Sequence, residues 1–179
     1  MKRPPVPRTA TPADIGAIAA LHAANWRVGY RGLLADEYLD GDLLGERLQA
    51  WTERFARPER GQLTAVAEAE DGSLAGFVCV YPGFDPRWGS HVESLHVADG
   101  FKGQGLGAQL MRLAAQWCAV EAPGQGLCLN VLEANVAARR FYERLGAVNA
   151  EAGVWAAPDG GSVGECRYAW PSLAPLLNL

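Results

Sequence analysis

The stretch FKGQGLGAQL, residues 101–110, constrains this chain more than any other. Gly103, Gly105 and Gly107 alternate between HVESLHV, which reads as a strand, and a run with helical spacing. Glycine admits positive φ and lets a ligand approach the backbone closely. A helix start adds unpaired N–H groups and the positive end of the helix dipole. Together these describe an anion site, with Lys102 adding a charge. A mobile turn before a helix is the plainer reading of the same residues.

Spacing narrows the choice of anion. The P-loop pattern GxxxxGK[ST] is absent, which argues against a nucleoside-triphosphate hydrolase of that type. The dinucleotide pattern GxGxxG/A fits Gly103, Gly105 and Ala108. That motif wants its first glycine at the strand end, whereas ADGFK intervenes after Val97. The next strand ends near Glu133, beyond the ~20-residue offset of a ribose-binding acid. A dinucleotide site is therefore a minor alternative.

The rest of the chain reads as alternating elements. VPRTAT reads as a first strand. TPAD starts a helix, with Thr11 as N-cap and Pro12 in the first turn. A second helical region, ADEYLDGDLLGERLQAWTERF, is interrupted near Gly41. LTAVAEA and LAGFVCVY form a hairpin around EDGS, and YPGFDPRWGS reads as a loop. GLCLNVL reads as a central strand. NVAARRFYERLG reads as a helix capped by Asn135 and Gly146. VNAEAGVWA and GECRYAW make a last hairpin around PDGG. The order β-α-α-β-β-β-α-β-α-β-β gives an α/β domain with a mixed sheet.

At 179 residues, 49% apolar and 20% charged, the chain fits one globular domain. A net charge of −4 argues against nucleic-acid binding and against docking on anionic lipid. Cys79, Cys118, Cys128 and Cys166 show neither CxxC nor zinc spacing and lie in apolar runs, so buried free thiols in a reducing compartment are expected. MKRPPVPR is basic, but no apolar stretch follows, so it does not read as a signal peptide. With no apolar run approaching a membrane span, a cytoplasmic protein is expected.

LHVADGFKGQGLGAQLM resembles motif A of the GNAT N-acetyltransferase superfamily, whose core is (Arg/Gln)-x-x-Gly-x-(Gly/Ala) after a strand. NVLEANVAARRFYERLGA resembles motif B: a strand, then Asn, Ala-x-x-x-Tyr and Gly. The resemblance covers residues 8–170 and is strongest over 90–147. Lys102 stands where Arg or Gln is usual, keeping charge but losing the planar fork.

The resemblance implies an acyl-CoA N-acyltransferase fold: a mixed, mostly antiparallel sheet with two splayed parallel strands, flanked by helices. It implies one domain over residues 1–179, with a disordered start at 1–7, a core at 8–170 and a tail at 171–179. The tail LAPLLNL packs on the domain or on a second copy; a homodimer is one expectation. The implied cosubstrate is acetyl-CoA, with no metal. Its pyrophosphate would meet the amides of Gln104, Gly105, Leu106, Gly107 and Ala108, beside Lys102 and Gly103. The pantetheine arm would lie between HVESLHV and GLCLNVL, against the backbones of Leu95 and Val97. Asn135, Ala138 and Tyr142 complete the implied contacts.

Acetyl transfer to an amine needs a proton acceptor, a donor for the thioester oxygen and a proton for the leaving thiolate. Tyr142 matches the motif B tyrosine and is the expected acid; an aromatic packed in the core is the other reading. Glu93 is the candidate base, or else a solvated strand residue or a partner of an Arg. His91 and His96 are substitutes, and Val97 N–H is the implied oxyanion donor. A covalent acyl-cysteine on Cys118, Cys128 or Cys166 has no His or Asp beside it in sequence, so direct transfer in a ternary complex is favoured.

The acceptor, a small-molecule or peptide amine, is expected near Trp26, Tyr30 and Trp88, where aromatics gather with acidic residues. A GNAT-fold module that binds acyl-CoA without turnover is the competing class.

Overall fold

The computed structural model describes residues 5–179. In chain order its elements are β1 (Val6–Thr9), α1 (Ile15–Gly29), α2 (Asp36–Asp40), α3 (Leu43–Ala56), β2 (Leu63–Glu68), β3 (Leu74–Asp85) and β4 (Gly89–Val97). Then come α4 (Leu106–Glu121), β5 (Leu127–Leu132), α5 (Val136–Arg144), β6 (Val148–Ala156), β7 (Ser162–Trp170) and α6 (Ala174–Leu177). Single 3-10 turns precede α1 and α4. β1 takes in Val6 and Pro7, ahead of the boundary expected at residue 8, and the rest of the expected irregular start, residues 1–4, lies outside the described residues.

The seven strands order as β1-β2-β3-β4-β5-β7-β6, and every neighbouring pair is antiparallel except β4 and β5. β3 explains its unbroken apolar run by being buried on both faces. Phe77 and Cys79 pack under Ile18 of α1 and Trp51 of α3. Val78 and Val80 pack under Leu110, Met111 and Ala114 of α4. The C-terminal nine residues belong to this second layer, because Leu173 and Leu176 are buried in it. The tail therefore packs on its own domain.

YPGFDPRWGS departs from the expected loop. β3 runs on to Asp85 and β4 starts at Gly89, with Tyr81 paired to His91 and Asp85 to Gly89. Asp85 Oδ1 accepts from the N–H groups of Arg87 (2.9 Å) and Trp88 (2.8 Å), closing a tight hairpin turn inside the stretch that reads as a loop.

Two irregularities of β4 position the site. Cys79 pairs with Ser94 and Val80 with Val92, so Glu93 is an extra, unpaired residue. Such a bulge re-aims side chains. Beyond Ser90–Leu127 and His91–Cys128, β4 has no further ladder pairs with β5, and the two parallel strands part.

Candidate functional site

A cleft of about 1110 Å³ opens where β4 and β5 separate. Its walls come from β4, β5, the glycine loop, α1, α3 and α5. Of the residues singled out in sequence, Glu93, Leu95, Val97, Lys102, Gly103, Gly105, Gly107, Ala108, Asn135, Ala138, Tyr142, Trp26 and Tyr30 all line it.

At one end lies the glycine loop. Gly103 (φ 73°) and Gly105 (φ 84°) adopt the left-handed region, which a β-carbon would strain, and both face open space. Gly105 caps α4, leaving the N–H groups of Leu106, Gly107 and Ala108 without intrahelical acceptors. Gly107 has a different reason. A β-carbon there would lie 3.1 Å from Phe141, so it permits close packing of α4 on α5. The Lys102 ammonium bonds to Asp99 Oδ1 at 2.6 Å, and Gln104 Nε2 donates to Gly100 O at 2.7 Å. The Leu106 side chain is buried in the core, so only its backbone N–H is available here.

Along the gap, β4 presents its main chain. Ala98 N–H bonds to Ala75 O on β3 at 2.9 Å, so by alternation Val97 and Leu95 turn their peptide groups away from β3 and into the gap. The Val97 carbonyl accepts from Asn25 Nδ2 of α1 at 3.2 Å. On the facing side, Asn135 Oδ1 accepts from Ala138 N–H at 3.1 Å, capping α5 as its sequence indicated. Tyr142, two turns along, is 8% exposed and stands edge-on to Trp170 with centroids 6.1 Å apart. Its hydroxyl has no hydrogen-bond partner among the described residues. Burial raises the phenol well above its usual range, so it stays protonated.

Across the gap, Glu93 projects toward α3. The Arg54 guanidinium donates to Glu93 Oε1 at 2.9 Å, and His91 Nε2 lies 3.7 Å from Glu93 Oε2. Glu93 lines the cleft, and the reading of it as the partner of an arginine is met by Arg54. His96 is pushed down to about 4 and His22 to about 2, each chiefly by burial. Trp51 Nε1–H donates to His22 Nδ1 at 3.0 Å, fixing the His22 proton on Nε2. The rings of His22 and His96 are 4.5 Å apart, and both side chains stay neutral at neutral pH.

The structure does supply a histidine to one cysteine. Cys128 Sγ lies 3.6 Å from His91 Nδ1, across the register pair His91–Cys128. Yet Cys128 is fully buried, and burial pushes its thiol up to about 12. It lacks the accessible thiolate that a nucleophile needs. All four cysteines are buried and free.

The far end is aromatic. Trp26 and Tyr30 meet at 5.0 Å with their rings tilted by 41°, Trp155 of β6 meets both at 5.8 and 6.1 Å, and Arg47 of α3 lies 4.5 Å over Trp26. Trp88 is not part of this wall, correcting its expected acceptor role. It immediately precedes β4 at the end where β4 and β5 are still paired, away from the opening, and Arg87 covers its ring at 4.7 Å. His22, Asn25, Arg47 and Arg54 are cleft residues that the sequence reading missed. The seven-residue spacing of Arg47 and Arg54 puts them on one face of α3, but nothing local to α3 says that this face meets the cleft.

The model of the Acetyltransferase (GNAT) family matches residues 26–147. This chain belongs to the GNAT family. The match takes in the cleft from Trp26 through Tyr142. Streptothricin acetyltransferase of Streptomyces lavendulae is 39% identical over 84 residues, covering 46% of this chain and 43% of that enzyme. The chain therefore matches less than half of that relative's length. The yncA protein of Salmonella typhimurium, solved with its cofactor acetyl-CoA, shares the GNAT fold at a TM-score of 0.67 and 20% identity, over 94% of both chains. The ribosomal-protein-alanine N-acetyltransferase of Brucella melitensis does so at 0.69 and 22%, over 93% of this chain and 99% of that one. Among the described residues no helix is long and apolar enough to cross a membrane, and no group of three or more His, Cys, Asp or Glu is arranged to hold a metal ion.

Proposed function

We propose that the protein transfers the acetyl group of acetyl-CoA to a primary amine, by direct attack within a ternary complex. The observation that carries this reading is the parting of β4 from β5 after two ladder pairs, directly beneath a glycine loop with free helix-start N–H groups.

The residues fit the donor along its length. Amides of residues 104–108 and the α4 dipole suit a pyrophosphate. Lys102 adds charge near it, though its ammonium also faces Asp99. The peptide groups of Leu95 and Val97 suit the amides of the pantetheine arm, with Asn135 and Ala138 opposite. The Val97 N–H is suited to the thioester oxygen as it gains charge.

The amine nitrogen attacks the thioester carbonyl carbon, forming C–N and breaking C–S. Glu93 takes the proton lost by the amine, directly or through water. Tyr142 gives its hydroxyl proton to the departing sulfur and is reprotonated from solvent. The balance is one ammonium and one acetyl-CoA giving one acetamide, one CoA thiol and one proton. Cys128 takes no part. The protein works in the cytoplasm on this reading.

Calorimetry with acetyl-CoA, CoA and NAD, followed by thiol release across a panel of amines, tests the proposal. Preference for NAD overturns it. Acetyl-CoA binding without thiol release for any amine makes the protein an acyl-CoA-binding module instead.

A further inference from the structure

The cleft carries a feature that acetyl-CoA does not use. Arg47 and Arg54 lie seven residues apart on α3, hence on one face of that helix, and both line the acceptor end. Each guanidinium lies 4.5 Å over a tryptophan ring, Arg47 on Trp26 and Arg54 on Trp51. The ring face holds each guanidinium by cation–π attraction, and a guanidinium N–H group that still lacks an acceptor suits a planar oxyanion. The two differ in what they lack. Arg54 is committed to Glu93. Arg47 donates through Nη2 to Glu46, a carboxylate that also takes the Tyr38 hydroxyl at 2.7 Å. The Arg47 Nε is buried and has no acceptor among the described residues. A buried charged donor without a partner is costly, and native structures rarely leave one so.

Resting on the transferase reading, we propose that the acceptor is an amino acid: an amine that also carries a free carboxylate, with an apolar or aromatic side chain. The carboxylate is met by Arg47, which a second acceptor would satisfy. The ammonium faces Glu93 before it loses its proton. The side chain lies on the wall of Trp26, Tyr30 and Trp155. The reaction forms the amide C–N bond and breaks the thioester C–S bond, giving an N-acetylamino acid, CoA thiol and a proton. The carboxylate is unchanged.

The test compares α- and ω-amino acids with their decarboxylated amines and amides, phenylalanine beside phenethylamine and phenylalaninamide. The expected kcat/KM favours the amino acid by at least about tenfold, the scale of one charge-assisted hydrogen bond. In Arg47→Gln that ratio falls toward one, while Arg47→Lys keeps part of it. General damage to the fold lowers both substrates together and leaves the ratio alone. An unchanged ratio in Arg47→Gln, or amines and amides acetylated as well as amino acids, overturns the inference and leaves the transferase reading standing. No thiol release with either class overturns both.

Discussion

Arg54 of α3 donates to Glu93 Oε1 of β4 across 2.9 Å, tying a helix on one face of the sheet to the bulged residue at the mouth of the gap. The pair is partly buried, with the Arg54 side chain 20% and the Glu93 side chain 35% exposed. It orients the carboxylate proposed to take the amine's proton. Glu93→Gln is expected to lower kcat by about 10²–10⁴-fold. Arg54→Gln is expected to cost about tenfold to a hundredfold through misplacement of Glu93, with partial rescue by Arg54→Lys. Stopped-flow thiol release with parallel acetyl-CoA titrations checks both, and a loss confined to acetyl-CoA affinity counts against the assignment.

Tyr142→Phe removes the only proposed acid while keeping the ring that packs on Trp170. Turnover is expected to drop by roughly 10²-fold or more, with acetyl-CoA affinity within about threefold of wild type. Unchanged turnover means that the hydroxyl does not protonate the sulfur.

The glycines separate by role. Gly105→Ala places a β-carbon at φ 84° with nothing to clash against, so its cost is backbone strain, about 1–2 kcal/mol. It also disturbs the helix cap, and weaker acetyl-CoA binding is expected in calorimetry. Gly107→Ala meets Phe141 at 3.1 Å, and overpacking of about 1 kcal/mol is expected in denaturant unfolding.

The buried histidines set a pH dependence. His22 and His96 are depressed in the folded state, so the unfolded chain binds protons first as pH falls below about 6.5. Their contribution is intact above that value and is lost on acidification, by up to about 1.4 kcal/mol per pH unit for each ring. His96 stops adding to the slope near its folded value of about 4. Urea midpoints at pH 7, 6 and 5 should fall in that order; constant midpoints contradict the burial account.

The linked glycine and Asn–Tyr motifs made the fold legible, because both encode local backbone geometry. Residues 103–107 and 135–146 must turn as they do wherever the rest of the chain lies. Strand periodicity gave β2, β3 and β5 for the same reason. The acceptor end was less legible. Arg47, Arg54, Asn25 and His22 reach the cleft only because α1 and α3 cross the face of β3 and β4, and no local pattern announces that crossing. Trp88 misled in the opposite way: its loop is near the gap in sequence, but the Asp85 turn sends it to the paired end of β4.

A single incubation separates direct transfer from a covalent route: acetyl-CoA with a mixture of amino acids and amines, analysed by mass spectrometry for both products and protein. Direct transfer predicts acetyl on the nitrogen of an acceptor, equimolar CoA thiol and a protein of unchanged mass. Acetyl on Cys128 or another side chain as a kinetically competent intermediate, or CoA release with no N-acetylated product, contradicts the account.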